Sequence, residues 1–138
     1  MLTEREKMAA GDWYSCLDTE LESQRTAAAL ACDAHNALPA PDRRGLSPAL
    51  RSLFAAHGQD CMIEGQFRCA YGCNTTLGDY VYLNAGCVIL DSGQVTIGDH
   101  TLIGPKTQIL CADHHRDAAK RRQGLERALP VTIGADVW

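Results

Sequence analysis

Few residues in this chain can do chemistry. Histidines stand at 35, 57, 100, 114 and 115, and cysteines at 16, 32, 61, 69, 73, 87 and 111. The adjacent pair His114-His115 falls in a polar, Arg-rich segment, ADHHRDAAKRRQGLERAL, between Cys111 and Pro130. Metal binding is one chemistry such residues offer. However, neighbours in extended backbone point to opposite faces and would not share one ion, and His100 alone does not complete three ligands. Cys69 and Cys73 would need a second cysteine pair to close a tetrahedral set, and none is present. No metal is expected. The cysteines are odd in number and form no C-x-x-C, so they read as reduced, buried small hydrophobes. Taken alone, a histidine in a loop reads as a surface residue. His35 and His57 fall near predicted helix C-termini, where a partly cationic ring suits the dipole. His100 falls at a solvated corner.

Two kinds of element must position these groups. The first third is helical. Thr3-Glu4-Arg5-Glu6 predicts a capping box and Gly11 a stop. Thr19-Glu20-Leu21-Glu22 predicts a second capping box, opening an Ala-rich helix to about Asn36. Ser47-Pro48 predicts the start of a third helix, closed by Gly58. After Gly58 short apolar steps recur every six residues: Leu77, Leu83 and Ile89 in one series, Ile97, Ile103 and Ile109 in another, two residues out of phase. Gly follows directly at Leu77, Ile97, Ile103 and Ile133. That period predicts a parallel β-helix whose aliphatic side chains point inward, with small residues tolerating the corner backbone. The fold class is mainly β, with residues 1–58 a helical segment and residues 59–138 a partial β-helix. The stretch 111–130 breaks the beat and reads as a loop thrown out of the stack, where function concentrates.

Net charge is −4 and the pI about 5.6. Lys and Arg form no stripe, and Lys120-Arg121-Arg122 reads as a solvated loop, so nucleic acid is not an expected partner. No stretch approaches the roughly 20 apolar residues of a membrane span. The charged N-terminus shows no signal peptide, which places the expected location in the cytoplasm.

The motifs together resemble a family. EREKMAAGDWY and ESQR are similar to the helical segment of the maltose and galactoside O-acetyltransferases, hexapeptide-repeat proteins with the nodulation acetyltransferases as relatives. FRCAYGCNTTLGDYVYLNAGCVILD, VTIGDHTLIGP, the ADHH loop and LPVTIGADVW follow in the family's order. The resemblance implies a left-handed parallel β-helix, a homotrimer with sites between subunits, and acetyl transfer from acetyl-CoA as co-substrate to a hydroxyl of a small sugar. It implies that His114 is the general base, with His115 where the family usually has proline. It also implies that Asn84 lies near the acceptor, and that Tyr82, Asp91, Asp18, Arg25 and Glu126 are acceptor-side residues. Glu126 is a candidate to hold the other ring nitrogen of His114. Read without the resemblance, Asn84 is a corner residue satisfying its own backbone.

Ala70 stands where the family usually has a polar residue facing the acceptor. Family members also continue past V-W into coils that form much of the acetyl-CoA site, so a chain ending at Trp138 is expected to be incomplete there. For such a chain a non-catalytic remnant or trimerising module stays open beside the enzyme, and a zinc hydratase is disfavoured by the histidine spacing.

Overall fold

The computed structural model describes residues 1–43 and 45–138. Among the described residues four helices form: α1 (Glu4–Ala10), α2 (Thr19–Ala37), α3 (Pro48–Leu53) and α4 (Ala118–Arg122). Short strands β1 (Tyr14–Ser15), β2 (Ala56–His57), β3 (Met62–Ile63), β4 (Arg68–Cys69), β5 (Thr75–Leu77), β6 (Tyr82–Leu83) and β7 (Val88–Leu90) are followed by β8 (Val95–Ile97), β9 (Leu102–Ile103), β10 (Gln108–Leu110), β11 (Ala112–His114), β12 (Leu125–Ala128) and β13 (Val131–Ile133).

Three parallel sheets, β2-β5-β8-β13, β3-β6-β9 and β4-β7-β10, make the faces of a β-helix. Thr75 pairs with Val95, Tyr82 with Leu102 and Val88 with Gln108, a rise of twenty residues per coil on every face. The six aliphatic residues of the two series all point inward and are buried. The eight-residue step between the series is the third corner of each coil, which is longer than the other two.

The tight corners use left-handed backbone at stacked positions: Asp60, Tyr80 and His100 at one, Gln66, Gly86 and Lys106 at the other. Two of the glycines after the aliphatic steps, Gly78 and Gly98, do a different job from the one expected: the next coil comes too close to leave room for a Cβ. Gly78 has no left-handed φ, but a Cβ there would run into Asp99 Oδ1, which is accepting from the N–H of Asp79 at 2.8 Å. The same bond joins Gln59 N–H to Asp79 Oδ1 one coil earlier, at 2.9 Å. Glycine is needed there so that adjacent coils can approach closely. His100 is exposed at its corner as expected, with its ring stacked on Tyr80 at 4.9 Å.

Several local expectations are corrected. The α2 cap is Asp18, not Thr19: its Oδ1 accepts from the N–H groups of Glu20 and Leu21 at 3.0 and 3.1 Å. Asp18 stands one residue earlier and is the better-placed acceptor. The third helix ends at Leu53 rather than Gly58, because Ala56 and His57 pair with Thr76 and Leu77 as the first rung of the β-helix. His57 is therefore an exposed strand residue. Cys73 is exposed and Cys16 half-buried, while the other five cysteines are buried. The thiols of Cys32 and Cys69 touch at 3.6 Å, between α2 and β4. The α1 capping box and its Gly11 stop form as predicted.

α2 closes the first coil. Its stripe of Leu21, Ala28, Cys32 and His35 is buried, and Ala28 and Cys32 join Leu50 and Phe54 in one core with the coil interior. Polar side chains do the other half of the work. Asn36 brackets Phe67, donating from Nδ2 to its carbonyl at 2.9 Å and accepting its N–H at 3.0 Å. His35 Nε2–H donates to the Ile63 carbonyl at 2.9 Å. These contacts occupy strand-edge groups that have no coil before them. His35 is fully buried and neutral rather than partly cationic. Burial lowers its pKa, and its Nδ1 has no partner that a second proton could use.

Two outcomes follow. Asn36→Ala leaves the buried Phe67 backbone unpaired and is expected to cost about 1–3 kcal/mol in urea unfolding. His35 has a folded pKa below its unfolded value of about 6.5, so the unfolded chain takes the proton more readily. The stability it contributes is present above that pH and is lost as pH falls through the folded value. Wild type should therefore lose more stability between pH 7.5 and 5.5 than His35→Gln, whose amide can still donate; parallel acid limbs would show that His35 is not the cause.

Candidate active site

The 111–130 segment is not a plain loop. β11 and β12 form an antiparallel hairpin around α4, and β1 from the N-terminus adds a third strand in the order β1-β12-β11. The segment leaves the stack at the long third corner and rejoins it cleanly, since Val131 pairs with Val95 in the same register that Val95 keeps with Thr75. Cys16 N–H donates to the Gly124 carbonyl at 2.9 Å, pinning the hairpin to the β1 end. Gly124 has φ +78°, and a Cβ there would lie 2.7 Å from Leu17 Cγ.

Register across this small sheet puts three side chains in one row. Tyr14 is opposite Glu126, and Glu126 is opposite His114. The Tyr14 hydroxyl donates to Glu126 Oε1, while Glu126 Oε2 lies 3.6 Å from His114 Nδ1, within ion-pair distance. The His114 side chain is 63% exposed and that of Glu126 13%, so a solvent-facing imidazole is backed by a shielded carboxylate. Burial, then the neighbouring carboxylate, hold the Tyr14 phenol protonated far above its ordinary range. His115 goes the other way, packing on Trp13 at 4.5 Å and accepting the Asp117 N–H at Nδ1, 3.0 Å. The adjacent histidines therefore do not share a site.

A cleft of about 290 Å³ opens beside this row, walled by Arg25, Tyr71, His114, Glu126 and Cys16, with Ala70 in its lining. Arg25 spans it, donating to the Tyr71 hydroxyl at 2.7 Å and to the Cys16 carbonyl at 2.8 Å. Beneath it, Asp91 is fully buried. Its Oδ1 accepts the Tyr71 N–H at 2.8 Å and its Oδ2 the Thr75 hydroxyl at 2.9 Å. Burial pushes the Asp91 carboxyl up, opposed by those hydrogen bonds.

Of the residues expected at a site, the chain brings together His114, Glu126 and Arg25. It does not bring in the others. Asn84 and Tyr82 belong to a different face of the β-helix. There Asn84 Oδ1 accepts the Ala85 N–H at 2.8 Å and the Tyr82 hydroxyl donates to Glu64 at 3.2 Å. Asp18 is occupied as the α2 cap, and Asp91 offers no surface to a ligand. Tyr14 and Tyr71 were not anticipated. Tyr14 meets its carboxylate 112 residues away, and no spacing along the chain signals that.

Residues 7–58 match the maltose acetyltransferase hexapeptide capping motif. Nodulation protein L of Rhizobium meliloti is 39% identical over 136 residues, covering 99% of this chain and 74% of the relative. The chain belongs to the maltose and galactoside O-acetyltransferase family of hexapeptide-repeat acetyltransferases. Two solved members of this left-handed β-helix family have the same fold. One is the hexapeptide-repeat acetyltransferase of Vibrio cholerae complexed with acetyl coenzyme A: TM-score 0.82, 33% identity, 99% of this chain and 74% of that one. The other is a galactoside acetyltransferase in complex with coenzyme A: TM-score 0.90, 26% identity, all of this chain and 69% of that one. Among the described residues no group of three or more His, Cys, Asp or Glu is arranged to hold a metal, and no helix is long and apolar enough to cross a membrane.

Gly124→Ala forces a side chain into left-handed backbone and against Leu17, and is expected to cost about 1–2 kcal/mol. The loosening should be local, so amide exchange at Cys16 should rise before that of the coil amides. Unchanged exchange at Cys16 would mean that the hairpin is held elsewhere.

Proposed function

We propose that this chain moves an acetyl group from acetyl-CoA directly onto a hydroxyl of a small sugar of the maltose, glucose or galactoside type, with His114 as general base. The observation that carries this is the His114–Glu126 pair at the mouth of the cleft that Arg25 spans. A carboxylate at Nδ1 favours a proton on that nitrogen and leaves Nε2 with its lone pair facing solvent. A sugar hydroxyl is a poor nucleophile until its proton is taken as it attacks the thioester carbonyl. Nε2 takes that proton, the C–S bond breaks as the C–O bond forms, and the proton passes on to the departing thiolate. The step needs no Ser or Cys nucleophile, so the kinetics are those of a ternary complex.

Arg25 and the Tyr71 hydroxyl supply hydrogen bonds at the acceptor wall in this reading, and Asp91 acts by holding Tyr71 in place. Ala70 leaves one acceptor hydrogen bond unmade. Asn84 and Tyr82 stand on another face, which fits a homotrimer in which a neighbouring subunit's Asn84 and Tyr82 complete the acceptor side, with Asp18 at the rim. Seven free thiols suit a reducing cytoplasm.

The test is acetylation of a panel of glucose, maltose and galactosides, read as acetylated sugar by mass spectrometry. His114→Ala is expected to lose about 100- to 10,000-fold in turnover with an unchanged circular dichroism spectrum and melting temperature. Equal turnover in that variant would remove His114 from the mechanism. Parallel lines in double-reciprocal plots, the mark of an acyl-enzyme, would overturn direct transfer.

A further inference from the structure

We infer that Tyr14 is a positioning residue for His114, acting through Glu126 to hold the imidazole in one tautomer; this rests on the reading of His114 as the base. Tyr14 touches neither His114 nor the cleft. It is fully buried, and the β1–β12 register sets it squarely against Glu126. A carboxylate is free to turn about its last torsion, where wells are broad and roughly two-fold. The Tyr14 hydroxyl removes that freedom by occupying Oε1, so Oε2 is the oxygen that faces Nδ1.

The alternative for Glu126 is poor. With Oε1 unpaired in a largely shielded position, the carboxylate would swing toward water, and His114 would lose the acceptor that favours Nδ1–H. A neutral imidazole without that partner puts its proton on Nε2 in part, the nitrogen that must accept the substrate proton. The phenol is suited to the task because it stays a donor: burial and the adjacent carboxylate keep it protonated. α1 strengthens the placement. Glu4 accepts the Ser15 N–H, so β1 is tied to the first helix next to the tyrosine. Two segments remote in sequence, 112 residues apart at Tyr14 and Glu126, thus meet to orient one ring.

The experiment is nitrogen-15 NMR of the histidine rings in the full chain at about pH 8.5, some two units above the ordinary imidazole value. His114 is assigned by the signal lost in His114→Ala. Wild type is expected to show a single Nδ1–H tautomer for His114. Tyr14→Phe, which deletes one oxygen and keeps the buried ring, is expected to show a mixture with substantial Nε2–H. Glu126→Gln leaves the Tyr14 packing untouched and should move the tautomer in the same direction. An unchanged tautomer in Tyr14→Phe overturns the inference, and an unchanged tautomer in Glu126→Gln overturns it even if Tyr14→Phe does not fold.

Sugar acetylation separates this from the function itself. Tyr14→Phe is expected to lower kcat by about 10- to 100-fold, the range seen when the hydrogen-bond partners behind a metal-bound histidine are removed, with KM unchanged. A tautomer shift in a chain that acetylates no sugar would leave Tyr14 as the positioning residue and sink the sugar reading. A raised KM with unchanged kcat would place Tyr14 in binding and overturn its positioning role.

Discussion

Backbone N–H and C=O groups on the three faces of this β-helix pair with the coil before or after, twenty residues away except across the 111–130 excursion. That spacing must hold on all faces at once, because a slip of one residue on any face would turn its buried aliphatics outward. The corners enforce it. Asp60, Tyr80 and His100 repeat the left-handed turn at one corner, and the aspartates at 79 and 99 bond the backbone of the coil before. The first coil has no predecessor, and α2 takes that place with Asn36 and His35. A helix side chain here substitutes for a strand.

The candidate site depends on the same frame. The third corner is the long one, and the hairpin that carries His114 and Glu126 grows from it. Its two ends return to the register that the stack dictates. The imidazole sits on a small sheet whose outer strand comes from the other end of the chain, and that sheet leans on the rigid coil through Arg25, Tyr71 and Asp91. Asp91 is informative. A buried carboxylate whose burial disfavours its charge persists because both oxygens are bonded to the coil below, and the result is a fixed floor for the cleft.

The coil interior was legible in the sequence at the six aliphatic positions of the two series, because each is a local consequence of period six: Leu77 through Ile109 fall where the pattern puts them. The α1 cap was legible for the same reason. What failed was competition between near-equal local signals, Asp18 against Thr19 for one cap, and a helix pattern after Pro48 that tertiary pairing of Ala56 and His57 cut short. His114 and Glu126 came from likeness to a family, not from spacing. Their meeting, and that of Glu126 with Tyr14, is a fact of antiparallel register between distant segments, which no window on the sequence contains. His35 misled because helix position argues for charge where burial decides for neutrality.

The long corner has one more consequence. Val95 to Val131 spans thirty-six residues where Thr75 to Val95 spans twenty, yet the rung they form is the same. The scaffold counts rungs and is indifferent to chain length at that one point. Loop closure costs little more for a longer loop, so the segment that carries His114 and Glu126 can be lengthened, shortened or rewritten without re-registering a single coil. In this architecture the excursion and the coil stack are insulated from each other, and the first can change while the register of the second stays as it is.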